Sequence, residues 1–341
     1  MFESSSKVIC IVPDSVYLIA FAKICSININ SHFGSDTTKN TADNGNAVTW
    51  SETFDGTKTD FAVKSSPTHA VSMSQATTEM MLQLGLEDKM AGTAFKEEEI
   101  YPPLQAAYDK VKVLSDKWPS YEVFMSVKPD FATGWPDSFS KRAIPADKMI
   151  AQKVNIWLPE SMLSTKADLE TNFNDMIKLG EIFGVKPKAE EWVAGQRKTL
   201  AAIQDKLKDL PRKRVFIYDS EDGQPFTAFE GYTTNILKLI GADNVMSGLG
   251  VDKTWAKGSW ETVIAQNPDY IIIADYGTSI RNDDDFQQKI EKIKSNPQLQ
   301  DITAVKEGHF IRVKLSEITP GVRTVDALKR LAEEIHGVKI D

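Results

Sequence analysis

Cysteine is nearly missing from this chain: Cys10 and Cys25 are the two in 341 residues. Everything after Cys25 must fold without a disulfide, a reactive thiolate or a cysteine-bound metal. Histidine is almost as scarce. His32, His69, His309 and His336 are scattered, with no pair at metal-ligand spacing, so no metal site and no cofactor is assigned to the protein itself. So few histidines also leave little acid–base equipment for catalysis near neutral pH. Clustered positive charge is absent too. The net charge is −8 with no basic block, which disfavours nucleic acid and anionic membrane surfaces as partners. No phosphate-binding loop, dinucleotide glycine fingerprint, nucleophile elbow or His-Glu zinc helix occurs. An enzyme is therefore disfavoured. A two-lobed α/β enzyme stays as the alternative from another class. A metal-ion binding protein or adhesin is a further one, and would need His, Cys or clustered carboxylates in a cleft.

What is present suits a binding protein. With 41% hydrophobic and 26% charged residues, the chain has material for two cores of ordinary domain size. Residues Val8–Ile24 are mostly apolar and preceded by Lys7, like a secretory h-region that ends at a cysteine. The run departs from that pattern at Pro13-Asp14 and at Lys23, and Ala22 is the one small residue just ahead of Cys25. It is too short and interrupted to span a bilayer reliably. Ser26–Asn46 is rich in Ser, Asn, Asp, Thr and Gly, the composition of a flexible tether. The expectation is a degenerate signal or lipoprotein leader over 1–25 with Cys25 as lipid anchor, then a flexible linker and lead-in over 26–65.

The most informative feature is an internal repeat. Ser120-Tyr121-Glu122 with Pro129-Asp130 recurs as Ser259-Trp260-Glu261 with Pro268-Asp269, at a constant offset of 139 (259 − 120, 269 − 130). Each Pro-Asp leads into an apolar run. Thr77-Thr78, Leu84-Gly85, Met90 and Gly92 recur as Thr233-Thr234, Ile240-Gly241, Met246 and Gly248, at a constant offset of 156 (233 − 77, 248 − 92). Threonine suits a helix N-cap and glycine a helix end. Strands are expected over His69–Ser74, Phe131–Thr133, Val154–Leu158, Arg214–Tyr218, Tyr270–Ala274 and His309–Val313. Helices are expected over Thr77–Leu84, Tyr232–Ile240 and Pro320–Ile335. This alternation predicts an α/β fold of two pseudo-symmetric lobes with mostly parallel sheets and a ligand cleft between them. The N-terminal lobe is placed at 66–165 and the C-terminal lobe at 186–341. Leu169, Phe173, Met176, Ile177, Leu179 and Phe183 recur at helical spacing, so one long helix over 166–185 joins the lobes, capped by Asp168 or Thr165 and ended by Gly184. A second helical segment follows over about Pro187–Leu210. No Gly/Pro-rich hinge intervenes, which predicts limited lobe motion.

The run from Thr77 to Gly92, the two Ser-aromatic-Glu…Pro-Asp units, and Pro320-Gly321-Val322-Arg323 before the last helix resemble the substrate-binding proteins of ABC importers for ferric siderophores, haem and cobalamin. The resemblance runs from about Ser66 to the C-terminus. It implies two α/β lobes joined by a long helix, an extracytoplasmic, membrane-attached monomer, and an ABC permease dimer as partner. It also implies that Glu122 and Glu261 dock on permease arginines, a role that fits the steering effect of rim charges. A carboxylate favoured by a helix N-terminus is the plainer reading of both.

The solute site is expected in loops at the strand ends: Ser74–Ala76, Ser115–Trp118, Trp135–Phe139 and Pro159–Ser161 in one lobe; Asp219–Thr227, Thr254-Trp255, Tyr276–Thr278 and Ile318–Arg323 in the other. The candidate ligand-binding residues are Gln75, Trp118, Trp135, Ser138, Phe139, Phe226, Tyr232, Trp255, Tyr276 and Arg323, the aromatics as flat walls for a large, partly apolar solute. Trp157 and Trp192 read as structural. Arg323 suits either an anionic group on the ligand or a brace for the last helix. Glu160 and Asp219 suit a cationic or hydroxyl-bearing ligand, or a turn. Among solutes, a ferric siderophore comes first and a corrinoid second. Haem comes last because no axial ligand stands among these loops.

Overall fold

The computed structural model describes residues 47–276 and 285–340. The leader, Cys10, Cys25, the tether through Asn46, and residues 277 and 278 of one expected cleft loop lie outside them. The described chain opens with a correction. The lead-in is a hairpin rather than a linker, with strand β1 (Val48–Phe54) antiparallel to β2 (Thr57–Val63). Asp55-Gly56 makes the turn, both at positive φ, as short hairpins require. Trp50 and Phe61 stack at 5.7 Å, and the Trp50 indole N–H donates to the Ile156 carbonyl at 2.7 Å. Alternate apolar residues thus turn inward and clamp the hairpin to the lobe behind it.

The N-terminal sheet has five parallel strands: β3 (Ala70–Ser72), β4 (Met90–Ala94), β5 (Val113–Ser115), β6 (Phe131–Thr133) and β7 (Asn155–Trp157), in the order β5-β4-β3-β6-β7. The C-terminal sheet has four: β8 (Lys213–Tyr218), β11 (Ala242–Asn244), β13 (Tyr270–Asp275) and β14 (Phe310–Lys314), in the order β11-β8-β13-β14. Chain position by chain position, β4-β3-β6-β7 has the same order as β11-β8-β13-β14. The second lobe also carries an antiparallel insertion that the sequence reading missed: β9 (Ser220–Asp222), β10 (Gln224–Ala228) and β12 (Trp255–Lys257).

Helices α1 (Gln75–Gln83), α2 (Gln105–Tyr108), α3 (Tyr121–Ser126) and α4 (Ala146–Ala151) belong to the first lobe, α7 (Tyr232–Lys238) and α8 (Trp260–Gln266) to the second. The repeat extends to its bonding. Ser120 caps α3 by accepting the Val123 amide, and Ser259 caps α8 by accepting that of Thr262. The Asp130 amide donates to His69 O at 3.1 Å and the Asp269 amide to Arg214 O at 2.8 Å. Each aspartate carboxylate accepts backbone amides at the foot of the adjacent strand: Thr68 and His69 for Asp130, Arg214 for Asp269. The Pro-Asp pair is therefore a strand-alignment device, used once per lobe. The threonine pairs are not caps. Ser74 and Gly231 hold those positions, and Thr78 and Thr234 bond back to the carbonyls of Ser74 and Phe229, the local competition expected of hydroxyls in a first turn. Gly85 and Gly241 end the two units at φ +66° and +70°.

Between the sheets run two helices: α5 (Leu169–Ile182, 14 residues) and the longer α6 (Lys186–Leu207, 22 residues). Asp168 and Thr171 close a capping box at the start of α5. Gly184 at φ +71° lets the chain turn between the two. One apolar core continues through both lobes: Ala70 and Phe131, then Phe173 and Met176 of α5, Val193 and Ile203 of α6, Val215 and Ile217 of β8, and Leu328 and Leu331 of the final helix Thr324–His336. Trp157 is buried in it and Trp192 packs against it. Two smaller clusters, one per lobe, fill the outer sides of the sheets. Among the described residues no helix is long and apolar enough to cross a membrane.

Candidate functional site

Parallel strands deliver their C-terminal ends, with the loops that follow, to one edge of a sheet. Here both sheets do so toward a common cleft of about 340 Å³. Phe95 and Glu97 follow β4, Trp118 follows β5, and Trp135 and Asp137 follow β6. From the other lobe come Asp219 after β8, Tyr276 after β13, and Leu315 and Thr319 after β14. Phe226 and Trp255 are supplied by the antiparallel insertion. A narrower recess of about 40 Å³ continues inward past Gln75, Glu97, Glu98 and Ser316, room for little more than a water.

The walls are stacked aromatic pairs, one per lobe. Phe95 lies on Trp118 at 4.5 Å and 11°, and Phe226 on Trp255 at 6.3 Å and 17°. Phe95 holds a φ of +60°, a conformation that bulky side chains avoid and that is retained where surroundings impose it. The Trp118 indole N–H donates to Met73 O at 3.1 Å, and that of Trp135 to the Glu97 carboxylate at 3.0 Å. These bonds fix the ring planes before any ligand arrives.

Three consecutive glutamates after β4 go three ways. Glu97 faces the cleft. Burial pushes its carboxyl up to about 7, against the Trp135 hydrogen bond and with help from the nearby Glu79 charge. Glu98 points at the opposite lobe, accepting from Arg323 at 3.0 Å and from the Ser316 hydroxyl. Burial outweighs the Arg323 charge and carries Glu98 to about 7 as well. Glu99 pairs with Lys314 at 2.6 Å on the surface, a bond that holds it below the usual carboxylate range.

Five of the ten expected ligand-binding residues, Trp118, Trp135, Phe226, Trp255 and Tyr276, line this cleft. The other five are occupied with the protein itself. The Gln75 amide borders the recess, but it donates to Glu79 and Glu99 O and accepts from the amides of Glu97 and Glu98. Ser138 is buried and donates to Met73 O, Phe139 is core, and Tyr232 is core with its hydroxyl bonded to Thr324. Arg323 is 5% exposed. It binds Glu79 through Nε at 2.8 Å and again through Nη2, Glu98 through Nη1, and Glu99 O at 2.7 Å. Its guanidinium is spent across the lobes, not offered to the cleft. The Pro159–Ser161 loop gives no lining residue, since Asp175 takes the amides of Glu160 and Ser161.

Sequence reasoning missed Phe95, Glu97 and Leu315. The run Lys96–Glu99 looks like solvated surface in sequence. Its only clue is that an apolar strand ends immediately before it.

Glu122 and Glu261 are both exposed, each in the first turn of its repeat helix. Each carboxyl is held below the ordinary range by its own helix-terminal amide, then by Ser120 or Ser259. The two lobes thus present the same charged corner.

A family model described as periplasmic binding protein matches residues 71–315. The chain belongs to the periplasmic binding protein family. Among its curated relatives is an uncharacterized ABC transporter substrate-binding lipoprotein, YvrC of Bacillus subtilis, 25% identical over 288 residues, covering 83% of this chain and 84% of that one. Another is a vitamin B12-binding protein of Vibrio vulnificus, 22% identical over 272 residues and covering 79% and 90%. Among solved structures, a periplasmic binding protein from Veillonella parvula is 96% identical, with a TM-score of 0.85 over 87% of this chain and all of that one. An ABC-type Fe3+-hydroxamate transport system from Saccharomonospora viridis shares the fold at 20% identity and a TM-score of 0.67, over 84% and 98%.

This periplasmic binding protein also has buried acids away from the cleft. Glu52 of the hairpin accepts the Leu158 amide at 3.0 Å and is pushed up to about 7 by burial. Asp175, which raises it further, is itself carried to about 6 by burial. Raised carboxyl values mean that the native state binds protons the unfolded chain has released. These groups therefore stabilise most below the usual carboxylate range, and that contribution is lost as pH rises through 6 to 7. The melting temperature is expected to fall between pH 5 and pH 7.5, with Glu52→Gln flattening the slope. A Glu52→Gln protein with an unchanged pH profile in scanning calorimetry would remove this assignment.

Proposed function

We propose that this protein is the extracytoplasmic solute-binding component of an ABC importer, which captures a ferric siderophore in the cleft and hands it to a permease dimer. The supporting observation is the cleft itself: two stacked aromatic pairs, one from each lobe, line it together with Trp135 and Tyr276. A metal chelate wrapped in an organic ligand offers the broad, partly apolar faces that such walls accept. The surface is assigned to docking through Glu122 and Glu261, the anchor to Cys25, and the working form to a lipid-attached monomer at the cytoplasmic membrane. The lobes are assigned to 66–165 and 186–341. A corrinoid is the second reading, favoured by relatives named as vitamin B12-binding proteins.

Trp118, Trp135 and Trp255 make the test direct. Titration of the purified protein with a ferric trishydroxamate, a corrinoid and haem is expected to quench tryptophan emission, with one of them saturating below about 1 μM, near −8 kcal/mol of binding energy. If no complex quenches and calorimetry records no heat, the chelate reading falls.

A further inference from the structure

The cleft's charge is as informative as its shape. Among the described residues that line it and its inner recess there is no Lys, Arg or His. The described cations nearest the cleft are already engaged: Arg323 with Glu79 and Glu98, Lys314 with Glu99, and Lys289, which lies over the Tyr276 ring, with Asp285. Acids, by contrast, enter from both lobes. Asp137 is paired with Arg142. Glu97 and Asp219 are not paired with any described cation: Glu97 accepts from the Trp135 indole, and Asp219 from the hydroxyls of Ser220 and Tyr276. Partners of this kind orient a carboxylate without neutralising it. Apolar rings around the pair thin the water there, so its field reaches a bound solute less screened than in bulk water.

Resting on the chelate reading above, we infer that the cleft admits metal complexes of zero or positive net charge and rejects anionic ones, with Glu97 and Asp219 setting that preference. The rejection is electrostatic. An anionic complex would bring like charge against Asp219 and, once it ionises, Glu97, in a partly desolvated cleft. A cationic or N–H-bearing complex would find acceptors on both sides and aromatic faces for its positive edge.

A ferric trishydroxamate with a terminal ammonium (+1), its N-acetyl derivative (0) and its N-succinyl derivative (−1) share one iron core and differ in charge. Affinity is expected to fall along that series by about tenfold per charge, the size expected of carboxylates about 8 Å from a ligand charge in a half-solvated cleft. In Glu97→Gln with Asp219→Asn the spread should shrink to about threefold over the whole series. Glu97→Gln alone, which keeps an acceptor for Trp135, is the second variant should the double one fold poorly, and should lose part of the spread. The spread should also widen from pH 6 to pH 8 as Glu97 ionises. The groups facing Glu97 are Trp135, Glu79, Glu98, Asp219, Tyr276 and the Arg142-paired Asp137; burial beside Asp219 keeps the Tyr276 phenol neutral throughout. A flat or reversed series with at least one binder overturns the charge preference and leaves the chelate reading standing. A full spread in the variants overturns the assignment to Glu97 and Asp219. Binding of no member, with no corrinoid or haem bound either, removes the chelate reading and this inference together.

Discussion

Arg323→Ala is expected to lower stability by about 3–5 kcal/mol, the penalty of stranding buried charge. The arginine is bonded to two acids, Glu79 and Glu98, and all three are buried. Removing it leaves two carboxylates facing each other with no counter-ion. They can escape only by taking up protons, and Glu98 already does so at about 7. The loss should therefore be smaller at pH 5 than at pH 8. Arg323→Met combined with Glu79→Gln and Glu98→Gln should recover most of it, because a neutral cluster needs no partner charge. Urea unfolding at the two pH values measures all three effects. An Arg323→Ala protein of near-normal stability whose solute affinity has dropped would instead return this arginine to the ligand.

Uptake should be abolished in Glu122→Ala with Glu261→Ala, while solute affinity and stability stay close to the parent. Both carboxylates are exposed, touch no cleft residue and head helices already capped by Ser120 and Ser259. Their loss changes little inside the molecule. What they offer lies outside it: two matched negative corners, one per lobe, for a partner that reads both. Single variants should keep partial transport, since one corner still engages. Transport in cells or proteoliposomes, paired with solute titration, decides the matter. A double variant that imports at the parent rate would sink the docking role.

The repeat was legible because its punctuation is chemical. Asp130 and Asp269 each hold a neighbouring strand by backbone amides, so residue identity there is tied to position. The cleft tryptophans were legible because each sits among turn residues just past an apolar run. Burial was not. Tyr232, Ser138 and Phe139 stand in the same kind of context yet point into packed interior, and only the path of the chain settles which way a side chain faces. Arg323 was left open between ligand and brace for the same reason: its partners are more than 220 positions away in sequence. The hairpin had visible signs, Asp55-Gly56 between alternating apolar residues, but it follows a polar tether and borrowed that tether's character. Thr77-Thr78 looked like a cap because composition marks a helix start to within a turn, not to the residue.

The late position of Arg323 in the chain bears on how the protein comes into being. A polypeptide made from its N-terminus holds Glu79 and Glu98 long before their counter-ion has been synthesised. The shared core likewise waits for Leu328 and Leu331 of the final helix. The first half has its own cluster, from Phe61 to Leu158, but the acids that meet Arg323 stay without that partner until residue 323 is made. The contacts between the lobes are thereby the last to be completed.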